Sequence, residues 1–241
     1  MRRWRRRRSP RTLEGLINFR DLGGLPAAGG AIRPGRLFRS DSLAYATKSD
    51  VAHLLEDLRL ATVIDLRGEY EVTHLGRGPL AAEPVEYVSA PITDVSGADD
   101  LVGHYVAMLA EKGDVLAGAV RLLARSSTLP AVFHCEAGCD RTGVLAAVVL
   151  SLLGVPDEVI AADYAATAPA MPRIHERVAL VVDRLGLPPR PASVLDWTPQ
   201  AAMMLRTLEL AKDRWGSMHD WAHTYGLKDD DLSALRAALV A

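Results

Sequence analysis

Val132-Phe133-His134-Cys135-Glu136-Ala137-Gly138-Cys139-Asp140-Arg141-Thr142-Gly143 is followed at once by an apolar run over residues 144–155. An apolar strand that runs through a short loop into a helix start builds an anion site. The loop aims unpaired backbone N–H groups inward, and the helix dipole adds its positive end. The same field favours the thiolate form of Cys135 at the base of the loop, and a thiolate is a nucleophile. Arg141, six positions on, can curl over the same anion and offer its planar fork to two phosphate oxygens. Gly138 lets the loop turn tightly, and Thr142 can set a hydroxyl beside the sulfur as it leaves. The stretch therefore implies attack of Cys135 on a phosphate monoester, a phosphocysteine intermediate, and hydrolysis by water with neither metal nor other cofactor. The loop from Glu136 through Ala137, Gly138, Cys139 and Asp140 to Arg141 would hold the phosphate oxygens, which is the main work of a protein in phosphoryl transfer. A zinc site built on His134, Cys135 and Cys139 lacks a fourth ligand nearby.

Outward from this loop, short apolar runs alternate with helical patterns, the mark of an α/β domain with a largely parallel sheet of four to five strands and helices on both faces. Strands are expected over 16–20 and 31–39, interrupted by the turn-rich residues 21–26 and by Gly29-Gly30, then over 61–66, 85–89 and 131–133. Helices are expected over 49–58, 101–109 and 115–124, and from Thr142 onward the chain reads as nearly all helical, broken at 154–156, 169–172 and 187–191. Trp197, Trp215 and Trp221 sit on helical patterns and are expected in the core.

The chain has 241 residues, 49% hydrophobic and 24% charged. That composition excludes a disordered, collagen-like or disulfide-scaffold protein. Seven Arg fall within residues 1–11, and taking them from the 28 basic residues leaves 21 against 30 acidic ones. The body is therefore acidic and is not built for nucleic acid. Residues 1–12 read as a disordered tail able to touch an anionic membrane weakly, and 13–241 as a single domain. Two Cys four positions apart form no disulfide framework, which fits a reducing, cytoplasmic setting. No apolar segment follows the Arg cluster, so a secretory signal of the usual form is not expected, while export by a signal-less route stays open. The longest apolar run is short of the roughly 20 residues that span a bilayer.

The loop resembles that of the Cys-dependent protein phosphatases, H-C-x-x-G-x-x-R-[ST]. The stretches Asn18-Phe19-Arg20-Asp21-Leu22-Gly23-Gly24, Arg33-Pro34-Gly35-Arg36-Leu37-Phe38-Arg39-Ser40 and Ile64-Asp65-Leu66-Arg67 are similar to the bacterial tyrosine phosphatase B-type branch, as is Asp140 before the loop Arg. The resemblance covers most of residues 14–170. It implies hydrolysis of phosphotyrosine in proteins, extending to phosphoserine, phosphothreonine or phosphoinositides, with Cys135 as nucleophile, Arg141 as phosphate clamp and Asp140 as general acid. Two other carboxylates compete for the last role. Asp94 follows a strand in a segment resembling the acid-bearing loop of dual-specificity phosphatases, and Asp65 ends a strand where it either orients Arg141 or caps the next helix. The order of preference is Asp140, Asp94, Asp65. Cys139 stands where that branch usually has Lys, which weakens the case for phosphoinositides. Its thiol either captures an oxidised Cys135 in a disulfide or only fills space. Two other classes compete with the phosphatase reading: a silent phosphate-binding module, which has no need of the Cys, and a sulfur-transfer enzyme, against which Arg141-Thr142-Gly143 argues.

Overall fold

The computed structural model describes residues 13–184 and 198–241. The expected Arg-rich tail over 1–12, the Pro-rich break at 187–191 and Trp197 lie outside the described residues. Four parallel strands, β4 (Leu37–Ser40), β7 (Ala131–His134), β5 (Thr62–Asp65) and β6 (Glu86–Ser89), lie side by side in that order, and β1 (Arg20–Asp21) adds an antiparallel edge beyond β4. A small hairpin pairs β2 (Pro26–Ala27) with β3 (Gly30–Ala31).

The strands alternate as a sheet buried on both faces must. Leu37, Ile64 and Phe133 enter one core, and Phe38, Val63 and Val132 enter a second. The first core is shared with α3 (Leu101–Glu111), α4 (Gly113–Leu123), α5 (Asp140–Leu152) and α6 (Asp157–Ala165), and with the C-terminal helices α8 (Ala201–Trp215), α9 (Met218–Thr224) and α10 (Asp229–Leu239). The second lies under α1 (Lys48–Ala52), which continues as a wider turn over His53–Asp57. Ten of the thirteen residues of α5 are buried, so the apolar run is a core helix. Trp221 is buried with its indole N–H donating to the Leu109 carbonyl at 2.9 Å, and Trp215 packs on the same core.

Three expectations need correction. Residues 16–19 form no strand, because the Asp41 carboxylate takes the N–H groups of Ile17 and Asn18 that a ladder would use. The expected strand over 31–39 splits in two at Pro34-Gly35, where Gly35 has φ +71° and its N–H donates to Asp21. A helix not anticipated, α2 (Glu69–Leu75), follows β5, and α7 (Met171–Arg184) begins at the Pro-marked break.

The register sets Ser40, His134, Asp65 and Ser89 in one row at the carboxyl ends of the parallel strands. Clefts of open parallel sheets form outside that edge.

Candidate active site

Cys135 follows β7 directly, and the loop ends where α5 starts at Asp140. The loop's carbonyls are tied from outside. Ser42 N–H donates to the Glu136 carbonyl at 2.9 Å, Asn18 Nδ2 to those of Ala137 and Gly138 at 3.1 Å each, and Arg39 Nη2 to that of Gly138 at 2.9 Å. Because each trans peptide opposes its C=O and N–H, pulling three successive carbonyls outward turns the N–H groups of Ala137, Gly138 and Cys139 the other way. Gly138 holds φ +69°, and a Cβ there would stand 2.4 Å from the Ser40 carbonyl oxygen, so only glycine fits.

The outer ties rest on one buried carboxylate. Asp163 on α6 pairs with Arg39 and, at 2.7 Å, with Arg20, which also donates to Asn18 Oδ1. Burial opposes the charge on Asp163, and the two guanidiniums outweigh it and hold its carboxyl below the ordinary 3.8. Asn18, Arg20 and Arg39, from the first two of the N-terminal stretches, are thus supports of the loop.

Arg141 is gripped by Glu71. Nη1 and Nη2 donate to the two carboxylate oxygens at 2.5 and 2.7 Å, a planar fork that fixes where the guanidinium lies. Burial works against the charge on Arg141, but Glu71 and the nearby Cys135 sulfur more than offset it and raise the guanidinium above its ordinary value. Glu71 also accepts the Gly68 N–H at 2.9 Å and so caps α2. Sequence reading missed Glu71. Its only signal is a Glu three positions after a Gly behind a strand, the spacing of a capping box.

Asp65 takes a different place from the one expected. Its carboxylate accepts from the Arg67 backbone N–H and guanidinium and from the Tyr87 hydroxyl at 3.0 Å, and it is fully buried. It neither orients Arg141 nor caps α2, and with both oxygens engaged it is removed from the candidate acids. His134 lies under the loop, with Nδ1 at 3.1 Å from the Cys135 carbonyl oxygen and Nε2 at 3.6 Å from Asp65. Burial lowers its pKa, so the ring stays neutral.

Asp140 is the first residue of α5, half-buried, with Oδ1 accepting from the Tyr105 hydroxyl at 2.5 Å. Asp94 is exposed in an irregular segment at φ +52°. That segment adjoins the site, since a Cβ on Gly68 would stand 2.5 Å from the Thr93 methyl. Thr142 is fully buried and its hydroxyl has no partner among the described residues. The Glu136 side chain turns away from the loop to accept from Tyr45 at 2.7 Å. Tyr45 lies under the Arg177 guanidinium at 4.0 Å, and Arg177 pairs with Asp41, which ties α7 to the site. Cys135 and Cys139 are both buried free thiols. Burial and the charge of Asp140 push the Cys139 thiol well up, which disfavours the thiolate that disulfide capture requires.

Residues 11–241 match the model of the tyrosine phosphatase family. A Cupriavidus necator protein assigned as a tyrosine-protein phosphatase is 30% identical over 226 residues, spanning 86% of this chain and 80% of its own. The triple specificity protein phosphatase PtpB of Mycobacterium tuberculosis is 30% identical over 211 residues, spanning 72% of this chain and 75% of its own. Among solved structures, the catalytic core of the PP-IP phosphatase SIW14 from S. cerevisiae aligns with 73% of this chain and 96% of its own at 13% identity and TM-score 0.42. P. aeruginosa TpbA aligns with 54% and 68% at 20% identity and TM-score 0.31. These two structural likenesses are too distant to bear on chemistry. With the family match running nearly the whole length of a chain whose loop, clamp and supports have just been described, the chain belongs to the tyrosine phosphatase family and is a phosphatase.

Proposed function

We propose that this phosphatase hydrolyses phosphotyrosine in proteins through a phosphocysteine intermediate formed on Cys135, with a range extending to phosphoserine and phosphothreonine. The observation that carries the reading is the Arg141 fork, held by Glu71 over a loop whose three successive carbonyls from Glu136 to Gly138 are tied outward. Such an arrangement costs no reorganisation when charge spreads over the equatorial phosphate oxygens.

The Cys135 sulfur attacks phosphorus, and the bond to the leaving oxygen breaks as that oxygen takes a proton from Asp140. Water then attacks the phosphocysteine, giving its proton to Asp140, and the sulfur leaves as a thiolate to which the Thr142 hydroxyl can donate. Asp140 is preferred over Asp94 because it sits on the same helix turn as Arg141, whereas Asp94 stands exposed. The name of the M. tuberculosis relative, a triple specificity protein phosphatase, supports a broad range. Phosphoinositides are a second class within the same chemistry. Cys139 brings no cation to the loop, which argues against them.

The test is hydrolysis of p-nitrophenyl phosphate by wild type and Cys135→Ser with chelator present, followed by phosphopeptides and phosphoinositides. Chelator-resistant turnover lost in the variant supports the thiolate route, and phosphate binding without turnover by the reduced wild type overturns it. A cytoplasmic location and contact of the Arg-rich segment with anionic membrane belong to the proposal as well. Among the described residues no helix is long and apolar enough to cross a membrane. Cosedimentation with anionic vesicles, lost on deleting residues 1–11, tests the contact.

A further inference from the structure

Two buried tyrosines from different helices converge on the start of α5. Tyr105 on α3 is fully buried and donates to Oδ1 of Asp140 at 2.5 Å. Tyr164 on α6 is 1% exposed, and its hydroxyl lies 2.8 Å from that of Tyr105, with the rings edge-on at 5.9 Å and 80°. The Tyr164 ring reaches this position because residue 143 is glycine, where a Cβ would stand 3.0 Å from its edge.

Counting hydrogens gives the line a direction. The single hydroxyl hydrogen of Tyr105 goes to Oδ1 of Asp140, an oxygen that accepts it both when the carboxyl is ionised and when the acid proton sits on Oδ2. Tyr105 Oη is then an acceptor, and Tyr164 donates to it. Burial first, and then neighbouring negative charge, raises the pKa of both tyrosines, so each keeps the hydrogen it gives.

We infer that the line from Tyr164 through Tyr105 is a positioning device for the general acid. With Oδ1 occupied by the Tyr105 hydroxyl, the carboxyl proton of Asp140 is confined to Oδ2, the oxygen left for the leaving group. The inference rests on the reading of Asp140 as the acid. It makes Tyr105 and Tyr164 positioning residues that never touch substrate.

The test measures kcat/KM, which reports phosphorylation of Cys135, on phenyl phosphate with its poor leaving group and on p-nitrophenyl phosphate with its good one. Asp140→Asn should lower the former by about 100-fold and the latter far less, as expected on losing a general acid. Tyr105→Phe should lower phenyl phosphate turnover about tenfold and p-nitrophenyl phosphate turnover less than about threefold, with vanadate inhibition within about twofold of wild type. Tyr164→Phe, one link further out, should show the same bias at about threefold. In an Asp140→Asn background Tyr105→Phe should add nothing, because the group it positions is gone. Equal losses on both substrates, or a full further loss in that background, would reduce Tyr105 to a packing residue and overturn the inference while leaving Asp140 as the acid. An Asp140→Asn variant without leaving-group bias would instead overturn the reading beneath it, and the inference with it. If Tyr105→Phe does not fold, the bias or its absence in Tyr164→Phe decides the matter.

Discussion

Glu71→Gln removes one charge and one acceptor from the group that carries the Arg141 fork. In the wild type both carboxylate oxygens accept from Arg141, at 2.5 and 2.7 Å, and Oε2 also accepts the α2 cap N–H at 2.9 Å. Glutamine keeps one oxygen for the cap and one arginine nitrogen, and turns an NH2 group toward the other. One charge-assisted bond is lost, worth about 1.5–3 kcal/mol. The side chains of Arg141 and Glu71 are only 19% and 25% exposed, so solvent screens little of it. A loss of about 2 kcal/mol in holding Arg141 corresponds to about 30-fold in kcat/KM. Unfolding should respond as well, with a fall of about 4–8 °C in the thermal midpoint for a chain of this size. The assay is kcat/KM on p-nitrophenyl phosphate with vanadate competition, and both should weaken, since the fork meets phosphate oxygens in ground and transition states alike. Arg141 holds Glu71 below its ordinary 4.5 against the effect of burial, so Glu71 stays ionised through neutral pH. The deficit should therefore be the same at about pH 5.5 and pH 7.5. A Gln variant within about threefold of wild type, beside an inactive Arg141→Lys, would refute the reasoning, because phosphate alone would then align the fork.

Gly138→Ala places a Cβ 2.4 Å from the Ser40 oxygen and 2.6 Å from the Asp41 nitrogen, backbone atoms that cannot yield. It adds about 1–2 kcal/mol of left-handed strain, and turnover should be lost while far-ultraviolet circular dichroism stays native. Asp163→Asn leaves Arg20 and Arg39 buried against a neutral amide, at a cost of about 3–5 kcal/mol, which denaturant unfolding would read as a lowered midpoint. Stability against acid should fall in two stages. His134 is neutral in the fold with a depressed pKa, so its contribution declines as pH drops below 6.5, where the unfolded chain takes up the proton first. Asp65 and Asp163, both held below 3.8, contribute stability that is present above that value and lost as pH falls through their folded pKa. Unfolding free energy against pH for wild type and His134→Gln checks this, and the variant should lack the upper stage.

The strand, loop and helix around Cys135 were legible because they are contiguous. Periodicity marks Ala131–His134 and Asp140–Leu152, and the residues between them have no freedom to be elsewhere. Where reading by pattern failed, a side chain had replaced a backbone partner. Asp41 capturing the N–H groups of Ile17 and Asn18 looks in sequence like a strand. Helix α2 escaped because its seven residues include no buried ones, which leaves no apolar face to see.

By itself the sequence showed the α/β order of elements and singled out Cys135 and its loop as candidates for nucleophile and phosphate site, since each depends on residues near one another along the chain. Tertiary structure alone decided which acid serves which base. Asp65 took Arg67 two positions away, whereas Arg141 took Glu71 from 70 positions away, and Asp163 joined Arg20 and Arg39 across more than 120. Charge pairing falls with distance through space and is blind to separation in sequence. The partner of each buried ion was therefore settled only when the parallel strands aligned Ser40, His134 and Asp65 in one row and brought α2, α3 and α6 around it.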